Sequence, residues 1–248
     1  MKRFLILLSI LFCTTVFAHT IEWYVGDNLL STTTCESGDN ITPPTAPTKY
    51  GYHFKEWRVY KQQIEYLGNT GTQYIDTGVN AKNGLYIEII FSFNDYSNQC
   101  VICARGLNDI RFWPAMVYNG HFEITIGPDR DNIGFRIQSK YKLYFDTSSS
   151  GWSAILKDEG NVVLTTASGN EVVDLNRNLF LFANNNYGSI QYPMNGKIYS
   201  VKIYSTNTIV RDFIPVLDFN DTPCMYDKVE GKFYYNAGTG QFIAGPAI

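Results

Sequence analysis

The sequence has little of what most catalytic and nucleic-acid-binding proteins need. Histidine occurs three times in 248 residues, at positions 19, 53 and 121. No Gly-x-Ser-x-Gly motif accompanies the histidines, which disfavours a Ser-His-Asp nucleophile. The 20 lysines and arginines are scattered among 23 acidic residues, and the net charge is −3. This balance argues against a nucleic-acid-binding surface.

Paired carboxylates on one strand face, which a retaining glycoside hydrolase requires, are also missing. Because side chains alternate along a strand, two carboxylates on one face of it would occupy positions i and i+2. Glu88 and Glu123 instead stand alone within apolar runs, and Asp158-Glu159 lies in a turn. We interpret each as part of a solvated face. The sequence therefore predicts no catalytic residue and no enzyme.

Long apolar runs are confined to the start of the chain, and beyond residue 18 none approaches the roughly 20 residues of a membrane helix. Residues 1–18 combine Lys2-Arg3, an apolar middle at Phe4–Phe12 and the segment Val16-Phe17-Ala18. This order is typical of a signal peptide. We expect secretion, or residence in the cell envelope or periplasm, with no membrane span after signal removal. Such compartments permit disulfides.

Cysteine is sparse, with Cys35, Cys100, Cys103 and Cys224 following the signal segment. The pair Cys100-x-x-Cys103 has no second pair with which to bind zinc. In a regular strand, residues three apart point to opposite faces, so these two thiols are not expected to bridge each other. Buried small side chains are the favoured interpretation. A bridge from Cys224 to Cys100 or Cys103 stays open, because connectivity cannot be read from sequence.

Short apolar and aromatic runs are abundant, and they recur between turn residues. The runs predicted as strands are Leu85–Phe93, Phe122–Ile126, Gly134–Gln138, Tyr141–Phe145, Trp152–Leu156, Val162–Thr166, Asn178–Ala183, Lys197–Tyr204 and Arg211–Val216. Asp158–Asn161 is predicted as a hairpin turn, and Trp152 as a packed strand residue. No long amphipathic helix is evident. The pattern predicts an all-β domain over residues 61–248, an antiparallel β-sandwich or jelly roll.

Residues 19–60 form a separate small module in this interpretation. Apolar residues alternate over 21–25, as in a strand, and residues 44–57 read Pro-Thr-Ala-Pro-Thr-Lys-Tyr-Gly-Tyr-His-Phe-Lys-Glu-Trp. This order resembles the Listeria–Bacteroides repeat of internalin-type bacterial surface proteins. The resemblance implies a small β-grasp-like module. We interpret Tyr52, Phe54 and Trp57 as a small aromatic core, which is favoured over a ligand site because so small a unit has little apolar area to bury. A short hinge is predicted near Tyr60–Gln63.

The domain over residues 61–248 carries a closer resemblance. Residues 70–78 read Thr-Gly-Thr-Gln-Tyr-Ile-Asp-Thr-Gly, and residues 196–204 read Gly-Lys-Ile-Tyr-Ser-Val-Lys-Ile-Tyr. With Met225–Tyr234, these motifs resemble the LamG-like jelly-roll domains of bacterial and phage surface proteins, in the concanavalin A-like lectin/glucanase superfamily. The resemblance implies two packed antiparallel sheets with the first and last strands side by side.

Lectin-like sandwiches bind sugars through exposed aromatic, Asn and Asp residues on loops, sometimes beside calcium. The loop residues predicted to bind ligand are Trp113, Asp129, Asp131, Asn184, Asn186 and Tyr187. No loop has the Asp-x-Asp-x-Asp-Gly order of a twelve-residue calcium site, so no cofactor is assigned and calcium stays open.

The function expected from these observations is non-catalytic recognition or adhesion by an exported protein that binds carbohydrate or a surface protein. Two alternatives stay open. One is a glycan-active hydrolase of the same superfamily, and the other is a purely structural surface module. The missing carboxylate pair disfavours the hydrolase.

Overall fold

The computed structural model of the protein describes residues 19–25, 28–35, 42–51, 59–127, 129–133, 135–148, 150–171 and 173–248. Contacts divide the chain after Val59 into a small N-terminal unit and a large unit, Tyr60–Ile248. The predicted signal peptide and the aromatic segment that contains Trp57 lie outside the described residues. The β-grasp-like module therefore stays a prediction.

The described residues of the small unit include a β-hairpin. Strands β1 (His19–Val25) and β2 (Asn28–Cys35) pair antiparallel, which confirms the strand predicted from alternation over residues 21–25. The Nε1 atom of Trp23 donates a hydrogen bond of 2.9 Å to Oγ1 of Thr33 across the pair.

The large unit consists of short strands and one 3₁₀ turn, Leu107–Asp109, in the part of the chain that the structure describes. The strands are β3 (Gln62–Gln63), β4 (Leu67–Thr70), β5 (Ile75–Asn80), β6 (Leu85–Phe93), β7 (Gln99–Arg105), β8 (Arg111–Tyr118), β9 (His121–Ile126), β10 (Asp129–Ile133), β11 (Tyr141–Ser148), β12 (Gly151–Asp158), β13 (Val163–Gly169), β14 (Asn178–Leu181), β15 (Asn184–Asn186), β16 (Ser189–Gln191), β17 (Asn195–Ser205), β18 (Thr208–Leu217), β19 (Pro223–Asp227), β20 (Lys232–Tyr234) and β21 (Ile243–Ala244). None of the described residues forms a helix long and apolar enough to cross a membrane.

These strands form two sheets. The larger sheet has the order β13-β12-β11-β6-β17-β18-β19-β20, with β3, β4 and β21 attached at its centre. The smaller sheet has the order β10-β9-β8-β7-β14-β5, and the β15–β16 hairpin joins it beside β7. Pairing is antiparallel except between β15 and β7. The predicted all-β antiparallel sandwich is therefore confirmed.

The core lies between the two sheets and is rich in aromatic rings. Phe91 on β6 of the larger sheet stacks on Phe122 on β9 of the smaller sheet, with ring centres 5.9 Å apart. Both side chains are almost completely buried. Each such ring contributes roughly 1.5–3 kcal/mol through removal from water, so contacts of this kind hold the sheets together.

A β-bulge changes which residues of β17 face the core. Pairing with β6 slips by one residue between Ile198 and Ser200. Because of the extra residue, Ile198 and Val201 point to the same side although three positions separate them. Both are fully buried, whereas Tyr199 is partly exposed on the opposite side. The strand is thus buried on one face.

The two ends of the large unit lie side by side, which confirms what the family resemblance implies. Gly68 on β4 pairs with Ile243 on β21. Farther along, the backbone N–H of Tyr74 donates to Oδ1 of Asn236 at 3.1 Å. A Cβ atom at Gly238 would lie 2.1 Å from the carbonyl oxygen of Thr72, so the close approach requires glycine.

The predictions for residues 135–138 and for Gln62–Gln63 are wrong. The segment 135–138, predicted as part of a strand, contains a turn in which Gln138 has φ of +61° and donates its N–H to Phe93 O. Residues Gln62–Gln63, predicted as part of a hinge, pair with β18 as strand β3. The other strands and the Asp158–Asn161 turn are found as predicted, with ends shifted by a few residues.

Candidate functional site

Of the residues predicted to bind ligand, all but Tyr187 lie on strands rather than loops, and Tyr187 lies in the turn between β15 and β16. Trp113 is on β8 and Asn184 on β15, and both are buried on the outer side of the smaller sheet. The indole Nε1 of Trp113 donates a hydrogen bond of 3.2 Å to Oδ1 of Asn184. The guanidinium of Arg111 covers the indole at 4.7 Å from the ring centre. Trp113 and Asn184 therefore lie beneath the surface of the smaller sheet and are not part of that surface.

Asn186 and Tyr187 lie close to that pair, because β15 runs beside β7. Asn186 is the register partner of Arg105. Tyr187 is 43% exposed, and its hydroxyl donates to the carbonyl of Gly106 at 2.6 Å. Of the predicted residues Trp113, Asn184, Asn186 and Tyr187, Tyr187 offers the most surface to a ligand.

Asp129 and Asp131 lie on β10, a strand at the edge of the smaller sheet, and not on a loop as predicted. Their register partners on β9 are Ile126 and Ile124. Strand β9 separates β10 from β8, which carries Trp113. The structure thus brings four predicted residues together and leaves these two aspartates on another strand.

Glu123 is buried at 1% exposure, so its interpretation as part of a solvated face is wrong. It shares the outer side of β9 with Thr125, whose hydroxyl donates to the Glu123 carboxylate. Glu123 is buried because Met116 on β8 lies directly opposite it and covers it. Trp152, by contrast, packs in the core at 4% exposure as predicted.

Asp95, on the Asn94–Tyr96 loop, is partly buried and accepts hydrogen bonds from its neighbours. Its Oδ2 accepts a hydrogen bond of 2.7 Å from Asn195, and its Oδ1 accepts from Ser97 and Gln99. Burial alone would raise the pKa of Asp95, but these hydrogen bonds lower it.

Within the described ranges, no group of three or more His, Cys, Asp or Glu residues is placed to hold a metal ion.

The outer side of the larger sheet carries many tyrosine and lysine side chains. Three Lys-apolar-Tyr triplets, at residues 142–144, 197–199 and 202–204, each bury their middle residue in the core. Because side chains alternate along a strand, the lysine and tyrosine of each triplet face outward together. We call this surface the tyrosine–lysine face; its members are Tyr66, Tyr86, Tyr144, Tyr199, Tyr204, Lys140, Lys142, Lys157, Lys197 and Lys202. Every one of them is partly exposed.

Cation–π contacts between lysine ammonium groups and tyrosine rings fix the side chains of this face. The Nζ atom of Lys197 lies 4.2 Å from the ring centre of Tyr66, and that of Lys140 lies 4.3 Å from the ring centre of Tyr199. Tyr66 and Tyr199 also meet edge to face, at 5.7 Å between ring centres. Such contacts are worth about 0.5–1 kcal/mol each at exposed sites. The rings are therefore held in place before any ligand arrives.

Tyr86 and Tyr204 form a second aromatic pair on the same face, with ring centres 5.5 Å apart. Burial, together with the nearby Glu88 carboxylate, raises the pKa of Tyr86 to about 12. Glu88 lies directly opposite Tyr144 on one side and Lys202 on the other. A carboxylate acceptor thus stands among tyrosines and lysines at the centre of the face.

A shallow depression of about 180 Å³ lies at this centre. The side chains around it include Glu88, Ile90, Lys142, Tyr144, Ser200 and Lys202. Enclosed small-molecule pockets are typically about 300–1,000 Å³. The depression is therefore better suited to part of an extended ligand than to a whole small molecule.

Positive charge on the face is only partly compensated. Lys140 forms ion pairs with Glu65 at 3.2 Å and Glu159 at 3.5 Å. Burial alone would lower the pKa of Lys140, but the hydrogen bond to Glu65 and nearby negative charges raise it. Among the described residues, no carboxylate oxygen lies within 4.0 Å of the ammonium of Lys157 or Lys202. These cations can hydrogen-bond a ligand.

Sequence reasoning missed this face, although a signal was present. The Lys-apolar-Tyr triplet occurs on both β11 and β17. The triplet places a cation and an aromatic ring on one side of a strand. What could not be read from the pattern is that β11, β6 and β17 are neighbours in one sheet.

Comparisons with known proteins leave the family open. No family model matches the chain, and no curated protein matches it. One similar solved structure is the mouse laminin alpha1 chain, domains LG4-5, with 11% identity and a TM-score of 0.42 over 68% of this chain and 48% of that one. The chain thus spans about half the length of that structure. A likeness at this level says nothing about a ligand.

Proposed function

We propose that the large unit binds a carbohydrate chain across the tyrosine–lysine face and does so without catalysis. The observation that carries the proposal is the set of tyrosine rings held by lysine ammonium groups on the outer side of a sheet. Rings that are ordered in advance lose little conformational entropy on binding.

Carbohydrate chemistry matches the groups on this face. The C–H faces of sugar rings pack on aromatic rings, and sugar hydroxyls exchange hydrogen bonds with lysine, tyrosine and carboxylate groups. Tyr144, Glu88 and Lys202 supply one group of each kind in a single cross-strand row. The open, shallow depression beside them suits a chain that continues beyond it.

The absence of catalysis is part of the proposal. Glycoside hydrolysis commonly uses two carboxyl groups on opposite sides of the scissile bond. Glu88 is the one carboxylate among the described residues that line the depression. Asp146, exposed on the same side of β11, lies opposite Tyr86. Release of reducing ends from a bound glycan, if that activity were lost in Glu88→Gln or Asp146→Asn, would contradict the proposal that binding occurs without catalysis.

A surface protein is the second candidate ligand, because tyrosine is enriched in the cores of protein interfaces. The same rings that pack on a sugar would pack on apolar side chains of a partner. Export to the cell envelope or beyond belongs to the proposal as well and is supported by the signal-like residues 1–18.

The deciding experiment is a glycan-array screen of the full chain, in calcium and again in chelator. We expect saturable binding that Tyr144→Ala reduces and Tyr187→Ala does not, since Tyr187 lies on the smaller sheet. Loss of binding in chelator would show that the site requires calcium. Absence of binding by a protein that circular dichroism shows to be folded would reject carbohydrate and favour a protein ligand. Binding that only Tyr187→Ala removes would reject the tyrosine–lysine face.

A further inference from the structure

The structure places Cys100 and Cys103 on the same side of β7, contrary to what their spacing predicts. Pairing with β8 slips by one residue between Cys100 and Ile102. The extra residue in the bulge makes positions three apart behave like positions two apart. Both cysteines are fully buried and pack with Trp113 and Met116 in a cluster on the outer side of the smaller sheet.

The two thiols are free and belong to the same buried cluster. The Cys103 thiol donates a hydrogen bond of 3.5 Å to the carbonyl oxygen of Ala115. A disulfide requires its two side chains to point toward each other and its Cα atoms to be no more than about 7 Å apart. A regular strand separates residues i and i+3 by roughly 10 Å, and the bulge shortens this span.

We propose that Cys100 and Cys103 are oxidised to an intrastrand disulfide when the chain folds in the presence of a low-molecular-weight disulfide such as oxidised glutathione. One thiolate attacks the small disulfide, forms a mixed disulfide and releases one small thiol. The second thiolate then attacks the protein sulfur, forms the Cys100–Cys103 bond and releases the second small thiol. Two protein S–H bonds are lost, and the oxidant takes up both electrons and both protons.

Burial controls when this exchange occurs. The reactive species is the thiolate, and burial, the neighbouring Cys103 thiol and Glu123 raise the pKa of Cys100 well above its ordinary value. The folded, reduced protein therefore exposes neither sulfur and holds little thiolate. The bond forms before the cluster around Trp113 closes, and the closed cluster then shields it from reductants.

Tryptic mapping of the wild-type chain tests the proposal directly. Residues 83–105 contain no internal lysine or arginine, so both cysteines fall on one peptide, while Cys35 and Cys224 fall on others. After refolding with oxidised glutathione and alkylation in denaturant, we expect that peptide about 2 Da below its reduced mass and unlabelled. A peptide with both thiols alkylated, or one linked to Cys35 or Cys224, would overturn the proposal.

A variant with Cys13, Cys35 and Cys224 replaced by serine leaves only the proposed pair. It should lose two free thiols on refolding with oxidised glutathione without gaining the mass of glutathione, whereas with the further change Cys103→Ala the remaining thiol can be lost only as a mixed disulfide that adds that mass. Oxidant added to the already folded, reduced protein should act at least 10-fold more slowly than during refolding. Equal rates would contradict the proposed protection by the closed cluster, and the wild-type peptide map remains decisive if the variant does not fold.

Discussion

The ammonium group of Lys157 lies 5.0 Å from the ring centre of Tyr144, and Lys157 is the register partner of Lys142 on the neighbouring strand. Like charges directly opposite each other on paired strands repel. The negative face of the tyrosine ring attracts the Lys157 ammonium and offsets part of this repulsion. Tyr144 is thus an ordered ring at the edge of the central depression.

Replacement of Tyr144 by alanine should weaken carbohydrate binding. Loss of one packed ring costs about 1–2 kcal/mol, which corresponds to a roughly 5- to 30-fold higher Kd. Tyr144→Phe, which keeps the ring, should bind nearly as well as the wild type. Isothermal titration with an array-identified glycan measures each Kd, with Tyr187→Ala as the control tyrosine. Unchanged affinity in Tyr144→Ala would exclude this ring from the binding site.

The buried hydrogen bond from Trp113 to Asn184 should contribute to stability. Asn184→Ala leaves the indole N–H without its acceptor, and a buried unsatisfied donor costs about 1–3 kcal/mol. We expect a lower urea midpoint with an unchanged m-value. Asn186→Ala is the matched control, because Asn186 is partly exposed on the same strand. An equal loss in both variants would mean that the strand, and not the hydrogen bond, is responsible.

Gly238 should not tolerate a side chain. The Cβ atom of Gly238→Ala would meet the carbonyl oxygen of Thr72 at 2.1 Å, where the two ends of the large unit approach. Forced displacement of packed backbone typically costs about 1–3 kcal/mol, so thermal unfolding should shift to lower temperature. Gly160→Ala serves as the control, since its nearest neighbour is a side-chain oxygen at 3.4 Å. A Gly238→Ala melting curve like that of the control would refute the close contact.

Asp218 should make stability depend on pH. Its Oδ1 accepts backbone hydrogen bonds from Asn220 and Thr222, and its Oδ2 accepts from the Tyr235 hydroxyl. Burial alone would raise the pKa of Asp218, but these bonds lower it below its ordinary 3.8. A lowered folded-state pKa stabilises the protein above pH 3.8, and this contribution is lost as pH falls through the folded-state value.

Urea unfolding at pH 6 and pH 3 tests this expectation. Asp218→Asn removes the titrating group, so the variant should lose less stability than the wild type between the two pH values. Asp221→Asn, at a side chain 63% exposed, should behave like the wild type. An identical pH dependence in Asp218→Asn and wild type would show that Asp218 does not contribute.

Local pattern was sufficient for several elements of the fold. The alternation in Leu85–Phe93 predicted β6 with its observed ends, and Asp158–Asn161 is the predicted turn between β12 and β13. These features depend on neighbouring residues, and turn chemistry and alternation express them directly. The candidate site was harder to predict, because burial of Trp113 and Asn184 depends on a parallel pairing of β15 with β7.

The sequence by itself determined an all-β chain and its main strands, since these follow from alternation and turn residues. The meeting of the first and last strands of the large unit was implied by the family resemblance. Tertiary structure alone decided which faces those strands present. One-residue bulges after Cys100 on β7 and after Ile198 on β17 reversed the alternation of inward-facing and outward-facing side chains. Strand order then collected separate Lys-apolar-Tyr triplets into one surface. Register and strand adjacency arise from contacts between residues far apart in the chain, and no local pattern encodes them.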